Sequence, residues 1–222
     1  MSLLHYSVVI PAYNAEKTIV AAIDSIMNQR NSPKEIIVVD DGSTDGTCQI
    51  VSSYAPHTRL VSQANQGCGS ATTHGMNLVK DGLIAFLDAD DVWLQHKMEV
   101  QLETLSQHPE YGAVLSHVQE FNDEGNSELN SYGMWGRSTL VIKQEDATRI
   151  GEVIDPPGRL GDMIDWIKRG QELGIVFHMI PQVLSMRRIR KDSLSYGADG
   201  DKLKGYVFVA KRALDRMREK KT

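Results

Sequence analysis

The stretch "KEIIVVDDGSTDGT", residues 34–47, decides the fold. Ile36, Ile37, Val38 and Val39 run without alternation into two aspartates and a Gly/Ser/Thr turn, the pattern of a strand buried on both faces. Upstream, "YSVVI" (6–10) ends at Pro11 and reads the same way. Between them, "AEKTIVAAIDSIMNQ" (15–29) places Ile19, Ile23, Ile26 and Met27 on one helical face, with Asn14 as the expected N-cap. Strand, helix and strand in this order make a βαβ unit with a right-handed crossover.

The alternation continues outward. "TCQIVSSYA" reads as a helix, "RLVS" as a strand, a helix begins near Gly69, and "LIAFL" (83–87) is another strand. The expected class is therefore α/β, a Rossmann-like, mostly parallel sheet with helices on both faces. Beyond it come a helix "VWLQHKMEVQLETLSQH" (92–108), an apolar run "GAVLSHV", a loop "FNDEGNSELNSYGMWG" and a possible strand "TLVIK". A turn at "DPPG", a helix "DMIDWIKRGQELG" and apolar runs "IVFHMI" and "LSMRRI" complete a smaller α+β extension.

Composition narrows the function classes. With 41% hydrophobic and 24% charged residues among 222, the chain has the profile of an ordinary globular protein. A formal net charge of −5 argues against nucleic acid as a partner. Cys48 and Cys68 form no CxxC pattern and the seven histidines carry no HxxxH spacing, which disfavours a disulfide framework or a zinc site. No apolar run approaches the roughly 18 residues of a membrane span, and "MSLLHYSVVIP" lacks a charged region ahead of a long apolar one. A cytoplasmic location is expected. Residues 200–222 carry eight Lys/Arg against three Asp/Glu. Tyr206, Ala210, Ala213, Leu214 and Met217 lie at helical spacing there, so the tail reads as a helix packing its apolar face on its own domain, or as a peripheral contact with anionic lipid at the inner membrane face.

Ligands of open α/β sheets bind at the carboxyl ends of strands, and three such ends carry polar loops: "PAYNAE", "DDGSTDGT" and "DADD" (88–91). Asp40 and Asp41 fit a turn and N-cap, or an acidic acceptor for the base or ribose of a nucleotide, on which Tyr13 would stack. If the backbone stays extended past Leu87, Asp88 and Asp90 point to one face. Their repulsion is then relieved by a divalent cation that a diphosphate also coordinates. Asp91 is the candidate N-cap of the following helix.

"VVIPAYNAE", "IIVVDDGSTDGT", "NQGCGSA" and "IAFLDADD", in this order and spacing, resemble the nucleotide-sugar-binding half of family 2 glycosyltransferases of the GT-A fold. The resemblance is dense over residues 6–105 and thinner over "LGDMIDWIKRGQELG" and "VLSMRRIRKDSLS". It implies a nucleotide-sugar-binding half (1–105), an acceptor-side half of the same domain (106–200) and a basic C-terminal helix (201–222). The implied reaction moves a sugar from a nucleotide-diphosphate donor to a saccharide or lipid-linked acceptor, with inversion, as in cell-envelope polysaccharide biosynthesis. Pro11, Tyr13 and Asp41 would hold the nucleoside, and Ala12, Asn14, Asp40, Gly42, Ser43, Asn65 and Gly67 belong to the same donor motifs. Asp90 would coordinate Mg²⁺ or Mn²⁺, with Asp88 orienting the donor sugar and the metal's waters.

Attack by an acceptor hydroxyl needs a general base on the opposite face of the sugar. Asp162 is the first candidate and Asp165 the second, although Asp162 also suits an N-cap. The family commonly shows Glu-Asp here, and Met163 occupies the position of the second acid. Thr72-Thr73 replaces a common Arg-Asn, and Arg190 stands where many members have a metal-reaching histidine; arginine would instead contact the diphosphate. Two alternatives stay open. One is a degenerate member that binds a nucleotide sugar without catalysis. The other is an aspartate-nucleophile phosphohydrolase, because "DADDV" also fits DxDx[TV], with Asp88 as nucleophile and Asp90 as acid/base.

Overall fold

The computed structural model describes residues 4–122, 130–158, 160–190 and 200–219. The first half alternates as expected: β1 (Tyr6–Ala12), α1 (Ile19–Met27), β2 (Glu35–Asp40), α2 (Thr47–Ser52), β3 (Thr58–Ser62), α3 (Cys68–Leu78) and β4 (Leu83–Phe86). The second half contributes β5 (Val92–Trp93), α4 (Lys97–Gln107), β6 (Ala113–Phe121), β7 (Ser131–Gly133), a 3-10 turn (Arg137–Thr139) and β8 (Val141–Lys143). It ends with α5 (Gln144–Ile150), α6 (Asp162–Glu172), β9 (Phe177–Arg188) and α7 (Gly200–Glu219).

Among the described residues these strands form one sheet in the order β3-β2-β1-β4-β8-β6-β9-β5, with β7 paired to β6. Pairing is parallel from β3 to β4 and between β6 and β9. It is antiparallel where β8 joins β4 to β6, and at β5–β9 and β6–β7. β9 joins "IVFHMI" and "LSMRRI" into one strand.

Alternate residues of the buried strands feed two cores. Val8, Ile10, Ile36 and Val38 meet Ile19, Ile23 and Ile26 of α1 on one face; Val9, Ile37, Val39 and Phe86 meet α3 and Trp166 of α6 on the other. Each fully buried aliphatic side chain stabilises the fold by about 1.5–3 kcal/mol, which fixes the direction of every strand end.

Several local expectations are corrected. Asn14 does not cap α1, because the chain makes a turn first and the helix starts at Ile19. Met27 is 40% exposed, off the buried face. The helix expected from Val92 starts at Lys97, since Val92 and Trp93 instead pair with Met186 and Ser185 of β9. Asp91, six residues before the helix and on the far side of β5, therefore cannot be its N-cap. On α7 the packed face is not the expected apolar one. Gly205 and Val209 turn inward, and a Cβ on Gly205 would meet the Leu160 carbonyl at 2.3 Å, so only glycine lets the helix lie this close. Among the described residues no helix is long and apolar enough to cross a membrane.

Candidate active site

The loops at the carboxyl ends of β1, β2 and β3 are tied to one another by side chains that bond backbone. Asn14, at φ +48°, accepts the Thr44 N–H at 2.8 Å and donates its own N–H to Ser43 Oγ at 2.9 Å. Asp40 accepts the Ser43 N–H at 3.2 Å. Asp41 accepts the Gln66 and Gly67 N–H groups, both at 2.9 Å, and the Gln63 side-chain amide at 2.8 Å. Gly42 has φ +79°, and a Cβ there would meet Asn65 N at 3.0 Å. The first N–H groups of α3 are also taken, because Gly69 N and Ser70 N donate to the Asp155 carboxylate at 2.8 and 3.0 Å. An acid at a helix N-terminus is favoured by the helix dipole. Asp155 comes from the "DPPG" segment, which the sequence marks only as a turn.

After β4 the chain turns rather than running on as strand, and the Asp91 N–H donates to the Asp88 carbonyl at 3.0 Å. The period-two reason for grouping Asp88 with Asp90 therefore fails, yet the turn brings both carboxylates to one cavity. Asp91 is buried at the same cavity and its oxygens are taken by the protein, accepting Ser138 Oγ at 2.6 Å and the Arg188 N–H at 2.9 Å. Burial, reinforced by Asp90 and Asp88, pushes its carboxyl well above the usual range. Its work is to lock the 3-10 turn and β9 together.

That turn carries a site residue that no motif marks. Arg137 is buried, with Nε 2.8 Å from Asp88 Oδ1 and with Nη1 and Nη2 at 2.6 and 2.8 Å from Asp162 Oδ2. Nη2 also stands 3.0 Å from Cys68 Sγ. Burial alone would weaken the guanidinium's hold on its proton, but Asp162 and Asp88 outweigh it and keep the charge. The thiol of Cys68 is pushed up to about 12 by burial and stays neutral. The turn is clamped from behind: Trp93 Nε1 and Ser185 Oγ both donate to the Ser138 carbonyl, at 2.9 and 2.7 Å, and Gln101 Nε2 donates to the Thr139 carbonyl at 2.8 Å. Arginine is rarely buried unless paired, and nothing near "GRST" in sequence announces its partners.

These groups border a cavity of about 830 Å³. Pro11, Ala12, Tyr13, Asn14, Asp41, Asp88, Asp90, Asp162 and Arg190 line it. Asp40, Gly42, Ser43, Asn65 and Gly67 do not; they shape the loops behind it. Asp165 also lies outside. Its carboxylate is turned under α7, 2.9 Å from Arg216 Nη1 and 3.1 Å from Arg169 Nε, and its side chain is only 3% exposed. Arg137, Arg187 and Arg188 add positive charge to the border, and Trp135, Met163, Ile164 and Tyr206 add an apolar and aromatic part.

Residues 7–153 match the family described as Glycosyl transferase family 2. The chain belongs to that family. It is 36% identical over 129 residues to chondroitin synthase of Escherichia coli, covering 57% of this chain and 19% of that protein. It is 34% identical over 101 residues to the E. coli UDP-Glc:alpha-D-GlcNAc-diphosphoundecaprenol beta-1,3-glucosyltransferase WfgD, covering 45% of this chain and 40% of that one. The chain spans less than half the length of the first curated relatives it matches. In fold it resembles S. aureus TarS 1-349 in complex with UDP-GlcNAc, with a TM-score of 0.74 at 18% identity over 93% of this chain and 66% of that one.

The departures of this family 2 chain now have a geometry. Met163 is 4% exposed and packs in the apolar core, so nothing basic replaces the missing acid at its own position. Thr72 is fully buried and bonds the Cys68 carbonyl at 2.7 Å within its own helix. Arg137, from a distant turn, contributes a guanidinium to the same neighbourhood. Arg190 Nη2 stands 3.4 Å from Asp90 Oδ2. Burial, then the nearby Asp88, raises the Asp90 carboxyl, while Arg190 opposes them. Among the described residues no group of three or more His, Cys, Asp or Glu is placed to hold a metal ion. Asp88 and Asp90 nevertheless fit a Mg²⁺ or Mn²⁺ that takes its other ligands from a bound diphosphate and water, because hard cations need only one or two carboxylates in such sites.

Proposed function

We propose that this chain is an inverting glycosyltransferase that moves a sugar from a nucleotide-diphosphate donor to a hydroxyl of a saccharide or lipid-linked acceptor. The observation that carries the reading is the placement of Asp88, Asp90 and Asp162 on one cavity, with Arg137 joining the first acid to the last. Tyr13 and Asp41 border the part that takes the nucleoside. Asp88 and Asp90 would hold Mg²⁺ or Mn²⁺, which when bound would supply Lewis-acid stabilisation of the departing phosphate charge.

Asp162 is the general base. Burial raises its carboxyl, and Arg137 pulls it back only in part. Arg137 holds Oδ2, and the carboxylate receives the proton of the acceptor hydroxyl as that oxygen bonds to the anomeric carbon and the bond to the diphosphate breaks. A single displacement of this kind inverts the anomeric centre. The similarity to WfgD and the fold shared with TarS bound to UDP-GlcNAc make UDP-sugars the first donors to examine. The phosphohydrolase alternative gains no support, since the motif follows β4 and Asp88 is paired to Arg137.

The test is a thermal-shift series with UDP, GDP and dTDP, with and without Mn²⁺. One nucleotide should raise Tm more when the cation is present, because stabilisation follows affinity by mass action. Asp90→Asn should abolish the cation-dependent part. No shift with any nucleotide overturns the donor assignment, and an unchanged cation response in Asp90→Asn overturns the metal ligand.

A further inference from the structure

α7 presents two different faces. Gly205, Val209, Arg212 and Arg216 turn towards the body, where Arg216 meets Asp165 at 2.9 Å and Glu172 at 2.8 Å. Val207, Ala210, Leu214 and Met217 follow the spacing of a single helical stripe, and they point away from it. Val207 is 68%, Leu214 51% and Met217 46% exposed, on a helix whose inward Val209 is 7% exposed. Beside this stripe Lys204, Lys211 and Arg218 recur every seven residues, so they form a row along it, all exposed. Asp215 approaches Arg218 only at 3.7 Å. The stripe is also continuous with the cavity: Tyr206 borders both, and at the mouth Ile164 and Trp135 are 43% and 41% exposed.

We propose that the outward face of α7 docks on an anionic lipid surface, with the mouth of the cavity opened towards it. Apolar side chains beside a basic row, on the face opposite the packed one, are what an interfacial helix needs. The apolar groups enter the acyl boundary and the cations meet the headgroups. Net charge favours this occupant locally rather than globally, since the chain as a whole is at −5 while residues 200–222 carry eight Lys/Arg against three Asp/Glu. If the cavity transfers sugar as proposed, its acceptor is then an amphipathic molecule held in that surface, its hydroxyl-bearing head reaching Asp162 past Tyr206 and Ile164.

The experiment is co-sedimentation of the 222-residue chain with vesicles of equal parts phosphatidylcholine and phosphatidylglycerol, and with phosphatidylcholine alone. The unaltered chain should partition to the anionic vesicles only. Lys211→Glu with Arg218→Glu, and separately Val207→Ser with Leu214→Ser and Met217→Ser, should each weaken partitioning roughly tenfold or more. Failure of the unaltered chain to sediment, or equal sedimentation of the charge-reversed chain, overturns the proposal. A dimer that the serine variant dissolves, without vesicle binding, also overturns it and assigns the stripe to a second copy. The nucleotide thermal shift, run on the same samples, reports folding and separates the two readings. A retained shift without vesicle binding sinks the lipid surface alone, whereas vesicle binding without any shift sinks the transferase reading and the acceptor with it.

Discussion

The donor-side loops and the acceptor-side half hold their buried acids in opposite ways. Asp40 and Asp41 are satisfied chiefly by backbone N–H groups of turns, and the half-buried Asp155, reaching across from the second half, by those of the α3 start. Asp162 and Asp165 are satisfied by guanidinium groups: Arg137 for the first, Arg169 and Arg216 for the second. A backbone N–H is present whatever the neighbouring side chains are, so the donor loops are robust to most substitutions. A buried ion pair depends on one distant side chain, and losing that side chain leaves an uncompensated charge. The difference also sets a pre-shaped loop system on one side against adjustable charge on the other.

The largest effect on turnover should come from Asp162→Asn. General-base catalysis contributes about 10²–10⁴-fold, and the substitution should lower kcat by that order while nucleotide affinity, read by calorimetry, stays within about twofold. The pH profile sharpens the test. Only the deprotonated carboxylate can accept the proton, and burial raises its pKa, so kcat should climb with pH along a limb displaced above the ordinary carboxylate range. That limb should vanish in Asp162→Asn. Asp165→Asn is the comparison: it should lower Tm yet leave kcat per folded molecule unchanged, and an equal loss of kcat there would return the base role to Asp165.

Arg137→Met should come next. It strands Asp88 and Asp162, and breaking a buried pair on one side costs about 3–5 kcal/mol, so chemical denaturation should show a fall of that order. Because both orphaned acids are in the site, turnover should fall as well. The double variant Arg137→Met with Asp162→Asn should recover part of the lost stability, through coupling between the two residues. Strictly additive losses would mean that Arg137 and Asp162 do not act as a unit.

The same contrast decides what a reader of the sequence sees. "IIVVDDGS" shows its strand and turn because the residues that define them are adjacent, and the unalternated apolar run reports burial on both faces directly. The "DADD" acids are conspicuous for the same reason, but their division of work is not. Asp91 looks like a helix cap because Asp commonly is one, and its true partner Ser138 lies 47 positions away. Arg137 is invisible for a stronger reason: its two carboxylates are 49 and 25 positions distant, on opposite sides in sequence. The start of α4 was displaced because Val92 and Trp93 are claimed by β9, a pairing across some ninety residues that no local propensity encodes. The apolar residues of α7 were readable, but not the direction they face, since the buried side is set by Gly205 and two arginines.

The smallest effect should follow Asp155→Ala, and it probes where the two systems touch. Asp155 caps α3 from a distance, and losing such a cap costs about 1–2 kcal/mol. Gly69 is buried and Ser70 half-buried, so water replaces the lost carboxylate only in part. If the donor loops are independent of the acceptor-side charges, Tm should fall modestly while nucleotide affinity changes by less than about twofold. The capped turn, however, also holds Cys68, whose sulfur lies 3.0 Å from Arg137. A tenfold loss of kcat in Asp155→Ala with nucleotide affinity intact would therefore break the separation. It would mean that the α3 N-terminus sets the position of Arg137, and through it Asp162, so that the donor loop governs the base.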